Sequence, residues 1–233
     1  MRWGKIILIF YFMPIFFQQT ITEDTRLGIW KIEEAESFFL QKVPLHRDIT
    51  HPHKRLQHLA GRFLLQHLFP GFPLSLIQIA DTRKPFLEDE AFHFSISHCS
   101  DYAAAIVSRV NRVGVDIELL SDKIRRIEHK FVSQEEHSLI KIPWTALNGA
   151  PAPLTGLPDH IGKLSLLWST KEAVFKWYGL GEVDFRKHIC IRSVVPAGDN
   201  CFEAVVEFKK NEDLFLGLHS RFFDNVCLSY VFT

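Results

Sequence analysis

Apolar residues along this chain follow two rhythms. At 92–97, Phe92, Phe94 and Ile96 alternate with His93, Ser95 and Ser97. At 113–118, Val113, Val115 and Ile117 alternate with Gly114, Asp116 and Glu118. A period of two is that of a half-buried strand. The small apolar run 103–107 predicts a fully buried strand between them. At 53–69 the rhythm changes: Leu56, Leu59, Ala60, Phe63, Leu64 and Leu68 recur every three or four residues. That is the stripe of an amphipathic helix, ended by Pro70 and Gly71. A second strong helix is predicted over 164–179, with Leu167, Trp168, Ala173, Val174, Phe175 and Trp177 among its apolar residues. Lys54, Arg55, His58 and Arg62 fall off the first stripe, which predicts a solvated basic face or a phosphate-holding one.

Weaker signals fill the remainder. Residues 15–21 and 27–32 predict two strands around a turn at Glu23 and Asp24, and a helical pattern from Glu33 stops at Pro44. A basic amphipathic helix is predicted at 124–131, and Ser133 with Glu136 has the spacing of a capping box. The Pro- and Gly-rich segment 142–162 predicts a long surface loop, and 189–194, 201–208, 214–218 and 227–232 predict antiparallel strands. RLGIWKIE (26–33) resembles RVGVDIE (112–118), and FLGLHS (215–220) resembles FSISHC (94–99). Such echoes imply two similar α+β halves with a cleft between them, of which only the second carries an acid at the position of Asp116.

Composition narrows the class. Lys plus Arg and Asp plus Glu balance at 27 each in 233 residues, so no bulk charge advertises a nucleic-acid or membrane partner. Four scattered cysteines with no C-x-x-C pair read as small buried groups in a reducing compartment, and a cytoplasmic location is expected. The apolar stretch behind Arg2 and Lys5 is shorter than a membrane-spanning helix and lacks a cleavage site. Residues 1–12 are therefore expected to be an apolar leader, either untranslated with initiation at Met13 or acting as a signal. The expected divisions are 13–111 and 112–233.

The chemistry concentrates at VGVDIE. Asp116 and Glu118 share one strand face, with Cα atoms about 7 Å apart at ~3.3 Å rise per residue. Two like charges so placed need a cation between them: Lys or Arg neighbours, or a divalent ion such as Mg²⁺ with its preference for hard oxygen ligands. Glu172 and Lys176 lie four apart on one helical face, an ordinary ion pair when taken alone.

Read in order, R-K-P at 83–85, F-S-I-S-H at 94–98, V-G-V-D-I-E at 113–118 and W-S-T-K-E-A-x-x-K at 168–176 resemble the 4′-phosphopantetheinyl transferases of the larger, Sfp-type class. The resemblance runs from Arg26 onward and is densest over 83–176. It implies an α+β fold of two pseudo-symmetric subdomains, each a small, mainly antiparallel sheet packed with helices, with the active site in the cleft between them. It also implies transfer of the 4′-phosphopantetheine arm from coenzyme A to a serine of an apo acyl or peptidyl carrier protein, as in a holo-acyl-carrier-protein synthase of fatty acid biosynthesis. Carried over by motif, Asp116, Glu118 and Glu172 are the Mg²⁺ ligands. Glu172 and Lys176 are the catalytic residues, with Glu172 or a metal-bound water as base and Lys176 on the leaving diphosphate. Ser97 and His98 match positions near the 3′-phosphate of coenzyme A, and Lys84 and Pro85 match the adenine and phosphate pocket. Arg55 and Arg62 fall in the helix that supplies further phosphate-binding cations. Lys171 is expected in packing or on a carboxylate, and Trp168 and Phe175 in the core. Cys99 departs from the Ser or Thr common at its place. A monomer is expected, since the two halves supply an interfacial site within one chain. A Mg²⁺-dependent phosphohydrolase and a non-catalytic carrier-binding homologue are the alternatives.

Overall fold

The computed structural model describes residues 15–45, 48–141, 159–211 and 213–233. The expected leader 1–12 and most of the expected loop, 142–158, lie outside the described residues. The first half contains strands β1 (Ile15–Thr22) and β2 (Thr25–Lys31), then helices α1 (Glu36–Leu40) and α2 (Pro52–Leu68). Short strands β3 (Gln78–Ile79) and β4 (Pro85–Phe86) lead into the hairpin β5 (His93–Cys99) and β6 (Tyr102–Ser108). The second half opens with β7 (Val113–Leu119), followed by α3 (Glu128–Phe131), α4 (His137–Lys141) and α5 (Asp159–Tyr178). It closes with β8 (Ile189–Gly198), β9 (Cys201–Lys209), β10 (Asp213–Phe223) and β11 (Val226–Phe232).

The strands form two antiparallel sheets, ordered β1-β2-β6-β5 and β7-β11-β10-β9-β8, plus the small β3-β4 pair. Within them β2-β6-β5 and β7-β11-β10 repeat one spatial order, with β2 matching β7 and β5 matching β10. These are the strands that carry the two sequence echoes. Each sheet buries one face under its long helix. Trp30, Phe94, Ala103, Ala105 and Val107 meet Leu59, Phe63 and Leu64 of α2, while Leu216, Phe202 and Val206 join the core around Leu167, Val174 and Trp177 of α5. The other faces meet at a seam where Leu27, Ile29, Ala104 and Ile106 pack with Val113, Val115, Ile117, Val226 and Leu228. The period-two reading of β7 therefore holds: its valines and isoleucine enter the seam and its acids turn toward α5.

Two glycines permit the close approach of helix to sheet. A Cβ on Gly114 would stand 2.1 Å from the Ala173 carbonyl oxygen and 2.7 Å from the Trp177 nitrogen, so β7 lies directly against the α5 backbone. On Gly61 it would stand 2.7 Å from Ile96, which brings α2 onto β5.

Three expectations need correction. The helix at 124–131 is broken into a 3₁₀ turn at Asp122–Arg126 and the four-residue α3, because the turn buries none of its side chains. Residues 159–162, expected in the loop, form the start of α5. His58 and Arg62 are buried rather than solvated, Arg62 being only 6% exposed and bonded to His58 Nδ1 at 3.0 Å. Helix α2 is gripped on more than one side, by Ile96 at Gly61 and by Gly28 at Leu64 and Leu68. The capping box forms: Ser133 N donates to Glu136 Oε2 at 2.8 Å, and Glu136 N donates to Ser133 Oγ at 3.3 Å.

Candidate active site

Strand β7 and helix α5 face each other along the acidic side of the strand. Asp116, at the middle of β7, is 2% exposed, where a carboxylate needs a compensating partner. It has two. Lys176 Nζ donates to Asp116 Oδ1 at 2.6 Å and to Ser97 Oγ at 2.7 Å, and Ser97 Oγ itself donates to the same oxygen at 2.9 Å. Asp116 Oδ2 is buried with no hydrogen-bond partner among the described residues. Ser97 comes from β5 in the other half, and its neighbour on that strand face, Ser95, accepts a bond from Val115 N at 3.2 Å. The β5-β7 seam thus places a serine from one half on the aspartate of the other.

Glu118 and Glu172 complete the acidic group. Trp168 Nε1 donates to Glu118 Oε1 at 2.9 Å, so a residue expected only in the core holds one of the acids. Its ring stacks on Phe185 at 5.4 Å and packs edge-on against Phe131. Burial, then the charge of Asp116, raises the pKa of Glu118. The same two causes push Glu172 up to about 7, against the opposing pull of Lys176. Cys99, filling the Ser or Thr position, is pushed up to about 12 by burial and by Glu118 and Asp116, so its thiol stays protonated. His98 opens to solvent at the mouth, while the protein packed around its ring and the nearby Lys176 lower its pKa.

Other predicted residues line up beside this group. Lys84 and Pro85 border a cavity of about 200 Å³ shared with Ser95, Lys176 and Gly179. Lys84 Nζ donates to the Trp177 carbonyl at 3.2 Å, and Thr82 Oγ1 donates to the Gly179 carbonyl at 2.9 Å, tying the first half to the end of α5. Burial, with Arg112 nearby, lowers the pKa of Lys84 to about 8. Arg55 is spent elsewhere: its Nε is bonded to the Glu36 carboxylate at 2.9 Å, and its Nη1 to the Ile49 carbonyl at 2.7 Å. Arg62 sits in the buried His58 pair. Lys171 lies on a carboxylate, as expected. Fully buried, it donates to Glu136 Oε2, the Phe131 carbonyl and the Phe185 carbonyl at 2.7–2.8 Å. Sequence reasoning missed Trp168 as a carboxylate partner and Arg112 altogether. Arg112 Nε donates to the Trp177 carbonyl at 2.8 Å, Nη2 bonds the Tyr178 carbonyl, and the guanidinium stacks over the Trp177 ring. The arginine immediately before VGVDIE was a signal, but nothing in the sequence tells which helix end it caps.

The donor set suits a hard divalent cation such as Mg²⁺: three carboxylates, one with an orphaned buried oxygen and two with pKa values raised by burial and mutual repulsion. Among the described residues, no three His, Cys, Asp or Glu side chains are already gathered at metal-holding distance. Lys176 holds the place of the positive charge on Asp116.

Fold and site together define an α+β protein of two related halves, with a carboxylate and lysine group built across their seam. Residues 112–227 match the family model of the 4′-phosphopantetheinyl transferase superfamily, and through that half the chain belongs to it. It is similar to the enterobactin synthase component D of Salmonella austin, 32% identical over 123 residues that cover 53% of this chain and 47% of that protein. The component D of Salmonella typhi is 32% identical over 126 residues, with the same shares. The chain spans about half the length of the curated relatives it matches. Among the described residues no helix is long and apolar enough to cross a membrane.

Proposed function

We propose that this protein transfers the 4′-phosphopantetheine group from coenzyme A to a serine of an apo carrier protein, releasing 3′,5′-ADP. The observation that carries this reading is the buried Asp116 with Lys176 and Ser97 bonded to one of its oxygens, beside two acids of raised pKa. Asp116, Glu118 and Glu172 would hold Mg²⁺, which when bound supplies positive charge against the coenzyme A diphosphate. The chain's own residues do the remainder. Lys84 and Pro85 receive the adenosine end in the cavity they border, while Ser97 and His98 take phosphate oxygens. Glu172, on the face of α5 that also carries Lys176, accepts the proton of the carrier serine as its oxygen attacks phosphorus. Lys176 neutralises the departing diphosphate oxygen as that P–O bond breaks. Such transfer depends mainly on positioning and electrostatics, which a preformed knot across two halves provides.

Because the relatives are components of enterobactin synthase, carrier domains of that kind of synthase are the first substrates to try, with a fatty-acid carrier beside them. Intact-mass analysis of apo carriers incubated with the protein, coenzyme A and Mg²⁺ is expected to show the phosphopantetheine adduct. Glu172→Gln is expected to lower its rate at least about 10³-fold with the melting temperature unchanged. No adduct on any carrier from a folded protein overturns the reading. Consumption of coenzyme A without a carrier would assign the same residues to hydrolysis instead.

A further inference from the structure

Beyond the acidic group, the seam opens into a second and larger cavity, about 450 Å³, reached past the end of α5. Its walls come from both halves: Pro85, Phe86 and Phe92 from the first, Leu180 from the second, with Lys84 and Arg112 among the polar groups. These two cations meet at one acceptor, the Trp177 carbonyl, which both of them bond. Among the described residues neither forms an ion pair. Lys84 spends one of its three donors there, and Arg112 spends two of its five on the last carbonyls of α5. The remaining donors have no protein acceptor among the described residues. Two like charges held together beside apolar walls are costly unless an anion joins them. Glu90 is the one acid among the described residues of the lining, and it is exposed on a loop.

We propose that this cavity binds a small amphipathic anion: a compact aromatic or aliphatic body against Phe86, Phe92 and Leu180, with its carboxylate or sulfonate on Lys84 and Arg112. The volume lies in the range of small-molecule pockets, and the arrangement is the usual one of apolar walls with a few convergent polar groups. Arg112 offers the planar, bidentate geometry that suits a carboxylate or sulfonate. The cavity shares Lys84 and Pro85 with the pocket proposed for the adenosine end of coenzyme A, and because occupancy is read without turnover the failure of one reading is distinguishable from the failure of the other.

The probe is 8-anilinonaphthalene-1-sulfonate, followed by fluorescence with the full-length protein. Saturable one-to-one binding is expected, with displacement by decanoate and at least about tenfold weaker displacement by decanol, a gap of about 1.4 kcal/mol. Arg112→Met is expected to weaken the probe about tenfold or more. Glu90→Gln, which removes the opposing charge without touching a cap, is expected to tighten it and decides the matter if Arg112→Met does not fold. Absence of saturable binding, equal displacement by decanoate and decanol, or an unchanged affinity in Glu90→Gln overturns the proposal.

Discussion

Asp116 shows how much one buried carboxylate demands of its neighbours. At 2% exposure it needs charge and hydrogen bonds, and it draws Lys176 and Ser97 from two other elements. Trp168 performs the corresponding task for Glu118 with a single indole N–H. Trp168→Phe keeps the ring stacked on Phe185 and removes only that donor. In the proposed Mg²⁺ site Trp168 would be an outer partner of a metal-binding carboxylate, a class of residue that commonly matters by 10–100-fold, so roughly tenfold more Mg²⁺ is expected for half-maximal transfer, with the melting temperature little changed. A Mg²⁺ titration of both proteins checks this. Lys84 makes a pH prediction. Its pKa in the folded protein is about 8 against an ordinary lysine value of 10.5, so the fold carries the cost of a buried cation below pH 8. That cost fades as pH rises from about 8 to 10.5, where the folded protein binds fewer protons than the unfolded chain. Lys84→Met is therefore expected to gain stability relative to the parent at pH 7, by at most ~3 kcal/mol, and to lose that advantage by pH 10.5. Denaturant melts across this range measure the gap, and a gap independent of pH would remove the buried charge as its cause.

At the scale of elements, the contact between β7 and α5 decides the site. They run in opposite directions, so Trp168 meets Glu118 while Ala173 and Trp177 press on Gly114. Gly114 is required for closeness rather than for an unusual backbone angle. Gly114→Ala is expected to push α5 outward, destabilise the protein by about 1–3 kcal/mol and cut transfer more steeply than the stability loss explains. Calorimetry and carrier-labelling rates together test this. The buried Lys171–Glu136 pair fixes α5 from its other side. Glu136 also accepts bonds from Ser133 N and Ile191 N, so one carboxylate joins the α4 cap, α5 and β8. The period-two and three-to-four rhythms made β5, β7, α2 and α5 legible from sequence, because burial of one face imposes them. They did not reveal the break before α3, since a run of basic and apolar residues has helical spacing whether or not anything packs against it.

At the scale of the molecule, two sheets share one seam. Val113, Val115, Ile117, Val226 and Leu228 are each at most 1% exposed there, against Leu27, Ile29 and Ile106 of the other half. Residues 112–233 expressed alone would leave that apolar face uncovered, and are expected to aggregate or fail to fold. A soluble, cooperatively melting 112–233 fragment would show that the halves fold independently. The same seam brings Ser97 to Asp116, so the acidic group is incomplete in either half alone.

The sequence by itself determined the α+β class, the paired echoes and the element faces on which Asp116, Glu118 and Glu172 lie. Alternation fixes which strand face an acid occupies, and i, i+4 spacing fixes which helix face carries Glu172 and Lys176. It also set a glycine where β7 had to lie close to something. Only the tertiary structure decided what met what. Lys176 turned to Asp116 and Ser97 instead of pairing with Glu172, Trp168 left the bland core role for Glu118, and Arg112 became the cap of a helix 65 residues away. Arg55 and Arg62 carried the right charge in the expected helix, yet Glu36 and His58 hold them. The reason is one of range: local periodicity records which side of an element is buried, whereas the partner of a buried charge is chosen by the packing of elements far apart in the chain.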